Sequence, residues 1–200
     1  MMRALALSVA LMAFIGAAAW GESQQEQGPV EKASEQNIGA VRDTIVDALW
    51  IKTDEYWHAG NTAPVIGICQ MIVELDPHFV EAYSIGAWVA EQQGNNKQAL
   101  EFYKLGMERN PDNYDLPLEL GLELLKRDPE ASLPYLKRAA ELPSPVPVKR
   151  AYAHALTKAG KTKEAAVQWF KILQKYPNDP IATRELQRLQ KAGKAGPEHK

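Results

Sequence analysis

Cysteine is almost missing: Cys69 is the only one in 200 residues, so no intramolecular disulfide can form. It lies among Val65, Ile66, Ile68, Ile72 and Val73, the setting of a small buried hydrophobe and not of a reactive thiol. Histidine is sparse as well. His58, His78, His154 and His199 never stand three or four residues from one another or from Cys69, which leaves no metal site. Glycine-rich phosphate loops, a Gly-x-Ser-x-Gly elbow and Walker patterns do not occur, and nothing sets a nucleophile beside a base. No catalytic residue, cofactor or metal is expected, and the chain is not expected to be an enzyme. A basic excess is lacking too: the net charge is -2, where a nucleic-acid binder would show a positive binding domain.

What the sequence does hold is a period. Gly60 and Gly94 stand 34 residues apart, and so do Pro77 and Pro111. Between these marks run pairs of amphipathic patterns. At 46% apolar and 24% charged residues, the chain has the balance of a folded, soluble protein. It is unevenly charged: 22–81 carries eleven acidic residues against Lys32, Arg42 and Lys52, whereas 137–200 carries fourteen basic residues against five acidic ones. Solvated faces account for this most simply; steering of a partner, or head-to-tail contact between copies, is the alternative.

Residues 1–19 have the pattern of a secretory signal peptide. Arg3 precedes an apolar run, and Ala17, Ala18 and Ala19 offer a cleavage site before Trp20. As a helix, Ala4 to Trp20 reaches only about 25 Å, short of the roughly 30 Å hydrocarbon core. Cleavage is therefore expected, giving a periplasmic or secreted chain with no stable membrane insertion; an uncleaved signal anchor is the alternative. Residues 20–36 are polar and read as a flexible leader.

The first long helical pattern runs from about Ile38 to Ala59, with Leu49, Thr53 and Tyr56 on one face. Gly60 ends it, and Asn61 or Thr62 is expected to cap the next helix, with Pro64 in its first turn. The second repeat buries Tyr83, Ala87 and Ala90, then Ala99, Tyr103 and Gly106. In the third, Asp128 and Pro129 replace the glycine turn as N-cap and first helical residue, and Pro143, Pro145 and Pro147 call for an extended connection. The fourth returns to the pattern through Ala153, Leu156, Gly160, Ala165, Trp169 and Ile172. A last helix over 181–192 has one apolar side and a basic, polar outer one, as an array end requires, and 193–200 read as a disordered tail. The expected repeats are 46–79, 80–113, 114–145 and 146–179 within an array over 37–192.

The residues Tyr83, Ala87, Gly94, Ala99, Tyr103 and Pro111, with their counterparts Ala153, Gly160, Ala165, Trp169 and Pro177, resemble the tetratricopeptide repeat. Departures are Thr53 for a small residue, Val65 for alanine, Pro117 at a large opening position and Lys149 where the family has a large apolar side chain. The resemblance implies an all-α fold: a right-handed α-solenoid of stacked helix-turn-helix repeats with a C-terminal capping helix. It further implies a concave groove lined by the first helix of each repeat. By position that groove presents Trp50, Asp54 and Trp57, then Ile85, Trp88 and Gln92, then Glu119 and Leu122, and last Arg150, His154 and Lys158. The family's Lys and Asn clamp for a terminal carboxylate has no counterpart here.

The expected function is thus a non-catalytic protein–protein interaction scaffold, exported from the cytoplasm, that holds a peptide or protein segment in the groove. The alternatives are a scaffold that self-assembles into homo-oligomers through its acidic and basic ends, or an accessory subunit of an envelope assembly or secretion complex. Aromatic side chains supply large contact area at low rotamer cost, which suggests the three tryptophans as anchors; the alternative is that some of them pack inside the repeat or against the leader.

Overall fold

A computed structural model describes the backbone of residues 29–194 and side chains over 34–191. The expected signal peptide, the first part of the leader and the last residues of the tail lie outside the described residues. Among the described residues the chain is all helix: α1 (Pro29–His58), α2 (Val65–Leu75), α3 (Val80–Gln92), α4 (Asn96–Arg109), α5 (Asp115–Arg127), α6 (Pro129–Glu141), α7 (Val146–Lys158), α8 (Thr162–Lys175) and α9 (Pro180–Lys194). Residues from Ile38 onward belong to one compact unit in which each helix from α2 onward packs on the next.

Three of the helix ends have one chemistry. Gly60, Gly94 and Gly160 sit at φ 69, 78 and 74, the left-handed region where a Cβ is costly. At each, paired backbone bonds close the helix. Asn61 N–H donates to Tyr56 O at 2.9 Å and Gly60 N–H to Trp57 O at 3.0 Å; Asn95 with Ala90 and Lys161 with Leu156 repeat the longer bond at 2.8 and 2.9 Å. Identical closures satisfy the orphan carbonyls at the ends of α1, α3 and α7, while α4 and α8 start two residues past their glycine and α2 only at Val65.

Between α5 and α6 the turn shrinks to one residue. Asp128 N–H donates to Leu124 O at 2.7 Å, and its carboxylate accepts from Ala131 N–H at 3.1 Å, with Pro129 opening α6. Asp128 and Pro129 therefore act as their sequence predicts. Pro64 does not: it stands at the N-cap of α2, which has no side-chain cap, and Thr62 offers only its carbonyl to Val65 N–H at 3.2 Å. The N-cap position falls at Pro64, two residues past Thr62 and three past Asn61, so neither side chain caps the helix.

Two further boundaries differ from expectation. α1 already begins at Pro29 and takes in residues assigned to the leader. Glu31, Lys32, Ala33, Glu35 and Gln36 are strong helix formers, so propensity continues a helix that apolar pattern alone would start at Ile38. α9 starts at Pro180 and runs to Lys194, beyond the expected 181–192.

Two clusters hold most of the buried side chains, and Leu136, Ala139, Ala140, Val148 and Ala155 of α6 and α7 are buried outside them. The larger runs from Val46 through Cys69, Tyr83, Ala87, Ala99 and Tyr103 to Leu120. The smaller gathers Ala153, Leu156, Ala165, Trp169, Ile172, Ala182 and Leu189. Close approach in the first depends on Gly106, where a Cβ would stand 2.8 Å from both Tyr83 and Leu116. No helix of the described residues is long and apolar enough to cross a membrane.

Candidate functional site

One face of α1, α3 and α5 carries an apolar trough. Thr53 points inward, buried, with its hydroxyl donating to Leu49 O at 3.1 Å. That orientation turns Trp50, Asp54 and Trp57 to the neighbouring stripe of α1. There Trp50 packs on Phe79 with ring centroids 5.0 Å apart, and Trp57 meets Trp88 of α3 at 4.6 Å with planes tilted by 44°. Trp57 and Trp88 remain 37% and 39% exposed.

Two cavities open along this face. One, of about 420 Å³, is lined by Trp50, Ile51, Thr53, Asp54, Trp57 and Ile85. The next, of about 530 Å³, is lined among others by Ile85, Trp88, Tyr103, Glu119 and Leu122. Ile85 belongs to both, so they adjoin. Seven of the eleven groove residues read from the sequence thus come together: Trp50, Asp54, Trp57 and Ile85 around one cavity, and Ile85, Trp88, Glu119 and Leu122 around the other.

The second cavity carries Glu119 and Glu123 on its wall, with Lys126 beside them and Glu91 close by outside the lining. Burial raises the Glu119 carboxyl above its usual range, Asp115 adds to the rise, and a hydrogen bond with Ser84 opposes it. Burial also raises Glu91, with Glu123 adding to the effect and Arg127 and Lys126 opposing it. Glu123 pairs with Lys126, and Arg127 lies 3.8 Å from Glu91. Glu119 is thus a partly desolvated carboxylate facing a cavity with an aromatic wall.

The remaining groove positions are placed otherwise. Gln92 is exposed at the end of α3 and lines neither cavity. Arg150 binds Asp179 with both Nε and Nη2, at 2.9 and 2.5 Å. Lys158 Nζ donates to Leu125 O at 3.1 Å, at the end of α5. His154 lies edge-on to Trp169 at 4.7 Å. Burial lowers its pKa, Glu185 opposes, and Arg188, Arg184 and Arg150 add to the lowering. Both basic groove positions are therefore engaged within the fold.

Sequence reasoning passed over Ser84, Tyr103 and Glu123 as members of the site. Tyr103 reads as core from its spacing, and is 3% exposed, yet its ring forms part of the cavity wall between α3 and α5. No signal within one helix reveals that, since it depends on how a second helix sits behind the first. Among the described residues no group of His, Cys, Asp and Glu is arranged to hold a metal ion.

No protein-family model matches the chain, and no curated protein matches it in sequence. Solved structures do resemble it. The structure from a study of PilF of Pseudomonas aeruginosa is 22% identical, covers 76% of this chain and 71% of its own, and superposes with a TM-score of 0.56. YrrB, described as a TPR protein with an unusual peptide-binding site, is 20% identical over 85% of this chain and 86% of its own, with a TM-score of 0.55. PilW, described as a widely conserved type IV pilus biogenesis factor, is 20% identical over 74% of this chain and 70% of its own, at 0.51.

Proposed function

We propose, from stacked helix pairs and likenesses that make the fold a tetratricopeptide-type α-solenoid, that the chain is a non-catalytic scaffold. It holds an extended segment of another protein along the trough of α1, α3 and α5. The observation that carries this reading is the pair of adjoining cavities walled by Trp50, Trp57, Ile85, Trp88 and Leu122. An array that needed only solvent on this face would have no use for a half-exposed tryptophan pair. Apolar side chains of the segment fill the cavities, and a Lys or Arg beside them pairs with the Glu119 carboxylate. Acidic segments are disfavoured, because Arg150 and Lys158 are engaged elsewhere.

The scaffold acts outside the cytoplasm in this reading, in the periplasm or in the medium. Support comes from the sequence of residues 1–19 and from the likeness to PilF and PilW, the second named for pilus biogenesis. A role as an accessory subunit of an envelope assembly complex fits the same facts.

The test is a selection of peptides from a display library on the mature chain from Trp20, followed by titration of the winners against a Trp50→Ala, Trp57→Ala, Trp88→Ala variant whose helicity is checked by circular dichroism. Apolar and basic peptides that lose at least about a hundredfold in affinity to the folded variant support the trough. Equal binding to both proteins moves the site away from it. A chain that selects no peptide but sediments as an oligomer at low salt favours self-assembly through its acidic and basic ends.

A further inference from the structure

Away from the trough, on the side of the array formed by α6, α7 and α8, lies a cavity of about 360 Å³ whose lining is unlike the rest of the surface. Lys137, Lys149, Lys171 and Lys175 all border it, against a single carboxylate, Glu141. Only Lys137 has an acidic neighbour, with 3.8 Å between its Nζ and Glu141. Lys149 donates to neutral groups alone, Ala140 O at 3.0 Å and Ser144 Oγ at 3.1 Å. Tyr152, Tyr176 and Gln168 line the same wall.

The repeat gives an internal control for this arrangement. α3 and α7 are both 13 residues long and both end at a left-handed glycine, so Val80 corresponds to Val146, Tyr83 to Lys149, Ala87 to Ala153 and Gly94 to Gly160. In the same register Arg109 corresponds to Lys175. Around α3 the aromatic ring of Tyr83 is fully buried, and its hydroxyl accepts from Arg109 at 3.4 Å while Arg109 pairs with Glu74 at 3.0 Å. Around α7 the ring is replaced by an ammonium group and the acid is gone. Two like charges then face each other: burial pushes the Lys149 pKa down, and Lys175 pushes it further. An array built for stability alone would keep the aromatic residue, since it fills the space and adds no repulsion.

We propose that this cavity is a binding site for a phosphate group. Lysine is a compact, strongly hydrated point charge suited to phosphate oxygens, and an anion among these ammonium groups converts mutual repulsion into ion pairs. Lys149, Lys171 and Lys175 hold the anion, and Tyr152 or Tyr176 donates a hydroxyl hydrogen to it. The phosphate belongs either to a soluble phosphoryl compound or to a lipid headgroup, and the chemistry at the site is the same.

The experiment is a thermal-unfolding titration of the whole chain with pyrophosphate at constant ionic strength, with flotation on vesicles of phosphatidylcholine alone or mixed with phosphatidylglycerol. Two variants accompany it. Lys171→Gln with Lys175→Gln removes surface charges without touching the core, and Lys149→Met restores an apolar side chain. The expected result is a midpoint that rises with pyrophosphate in the unaltered chain, and binding weaker by about tenfold or more in both variants. Without anion, Lys149→Met should melt at least as high as the unaltered chain. Flotation with the phosphatidylglycerol mixture that is lost in the double variant assigns the phosphate to lipid; a pyrophosphate response without flotation assigns it to a soluble compound. A midpoint indifferent to pyrophosphate together with no flotation overturns the proposal. A response that is the same in the double variant overturns it as well.

Discussion

Arg150 and Asp179 hold two helices together: the guanidinium of α7 grips a carboxylate that is only 5% exposed and that also caps α9. Asp179 Oδ1 accepts from Ile181 N–H at 3.0 Å and Ala182 N–H at 2.9 Å, while Oδ2 takes Arg150. Burial alone would raise this carboxyl, but the Ala182 amide, Arg150 and the Ile181 amide outweigh it and hold the pKa below the usual value.

The sign of the pH effect follows. A carboxylate with a depressed folded pKa contributes its full stability above the unfolded value of about 3.9, and loses it as pH falls through the folded one. Attachment of α9 should therefore weaken below about pH 4. In urea titrations at pH 7, Asp179→Ala should lose about 2–3 kcal/mol, since it removes both the cap and a charged hydrogen-bond partner. Asp179→Ala should also lose less stability between pH 5 and pH 3 than the unaltered chain does, and an unchanged acid dependence would show that another carboxylate controls it.

The Trp57 and Trp88 rings should be energetically coupled. Each single change to alanine removes their contact, so the double variant should cost less than the sum of the singles by about 0.5–1.5 kcal/mol. Urea unfolding of the four proteins measures this directly. Strict additivity would mean that the 4.6 Å contact contributes nothing in solution.

Cys69 should resist thiol reagents in the folded chain. It is fully buried, and burial pushes its pKa up to about 12, so almost no thiolate exists at neutral pH. Reaction with a disulfide reagent should be slow in buffer and rapid in urea; fast labelling of the native protein would contradict the packing of α2.

Gly94→Ala should destabilise by about 1–2 kcal/mol although nothing lies within 4 Å of the added methyl. The cost comes from φ 78 alone, so Gly94→Asn, which tolerates that region better, should lose less. Thermal melts of the two variants make the comparison.

The features legible in the sequence were those fixed within a few residues. Gly60, Gly94 and Gly160 and the Asp128 cap all act on backbone within one turn, and each stands where its neighbours require it. The inward stripes of α3, α4 and α8 were equally readable, because burial follows the helical period. Pro64 was misjudged by a single residue, since a cap depends on where the helix actually begins.

What could not be read was what each polar groove residue would meet across the array. Arg150 and Lys158 stand on the expected stripe, yet their partners, Asp179 and Leu125, lie 29 and 33 residues away. Tyr103 enters the trough from behind, and the lysines around Lys149 come from two other helices, α6 and α8. Only Lys149 itself gave warning, by departing from the repeat at a position that should be apolar.

The division of the buried residues into two clusters bears on how the chain comes apart. Val46 to Leu120 and Ala153 to Leu189 share no member and meet chiefly through α6, where Leu136 and Ala139 are buried and which packs on both α5 and α7. In a linear array each block leans only on its neighbours, so the C-terminal block can melt and re-form while the N-terminal one stays intact. Amide hydrogens of α8 and α9 should then exchange sooner than those of α3 and α4. The trough sits on the slower block and the lysine cavity on the faster one, so an anion bound at Lys149 would slow exchange locally without altering affinity at Trp88.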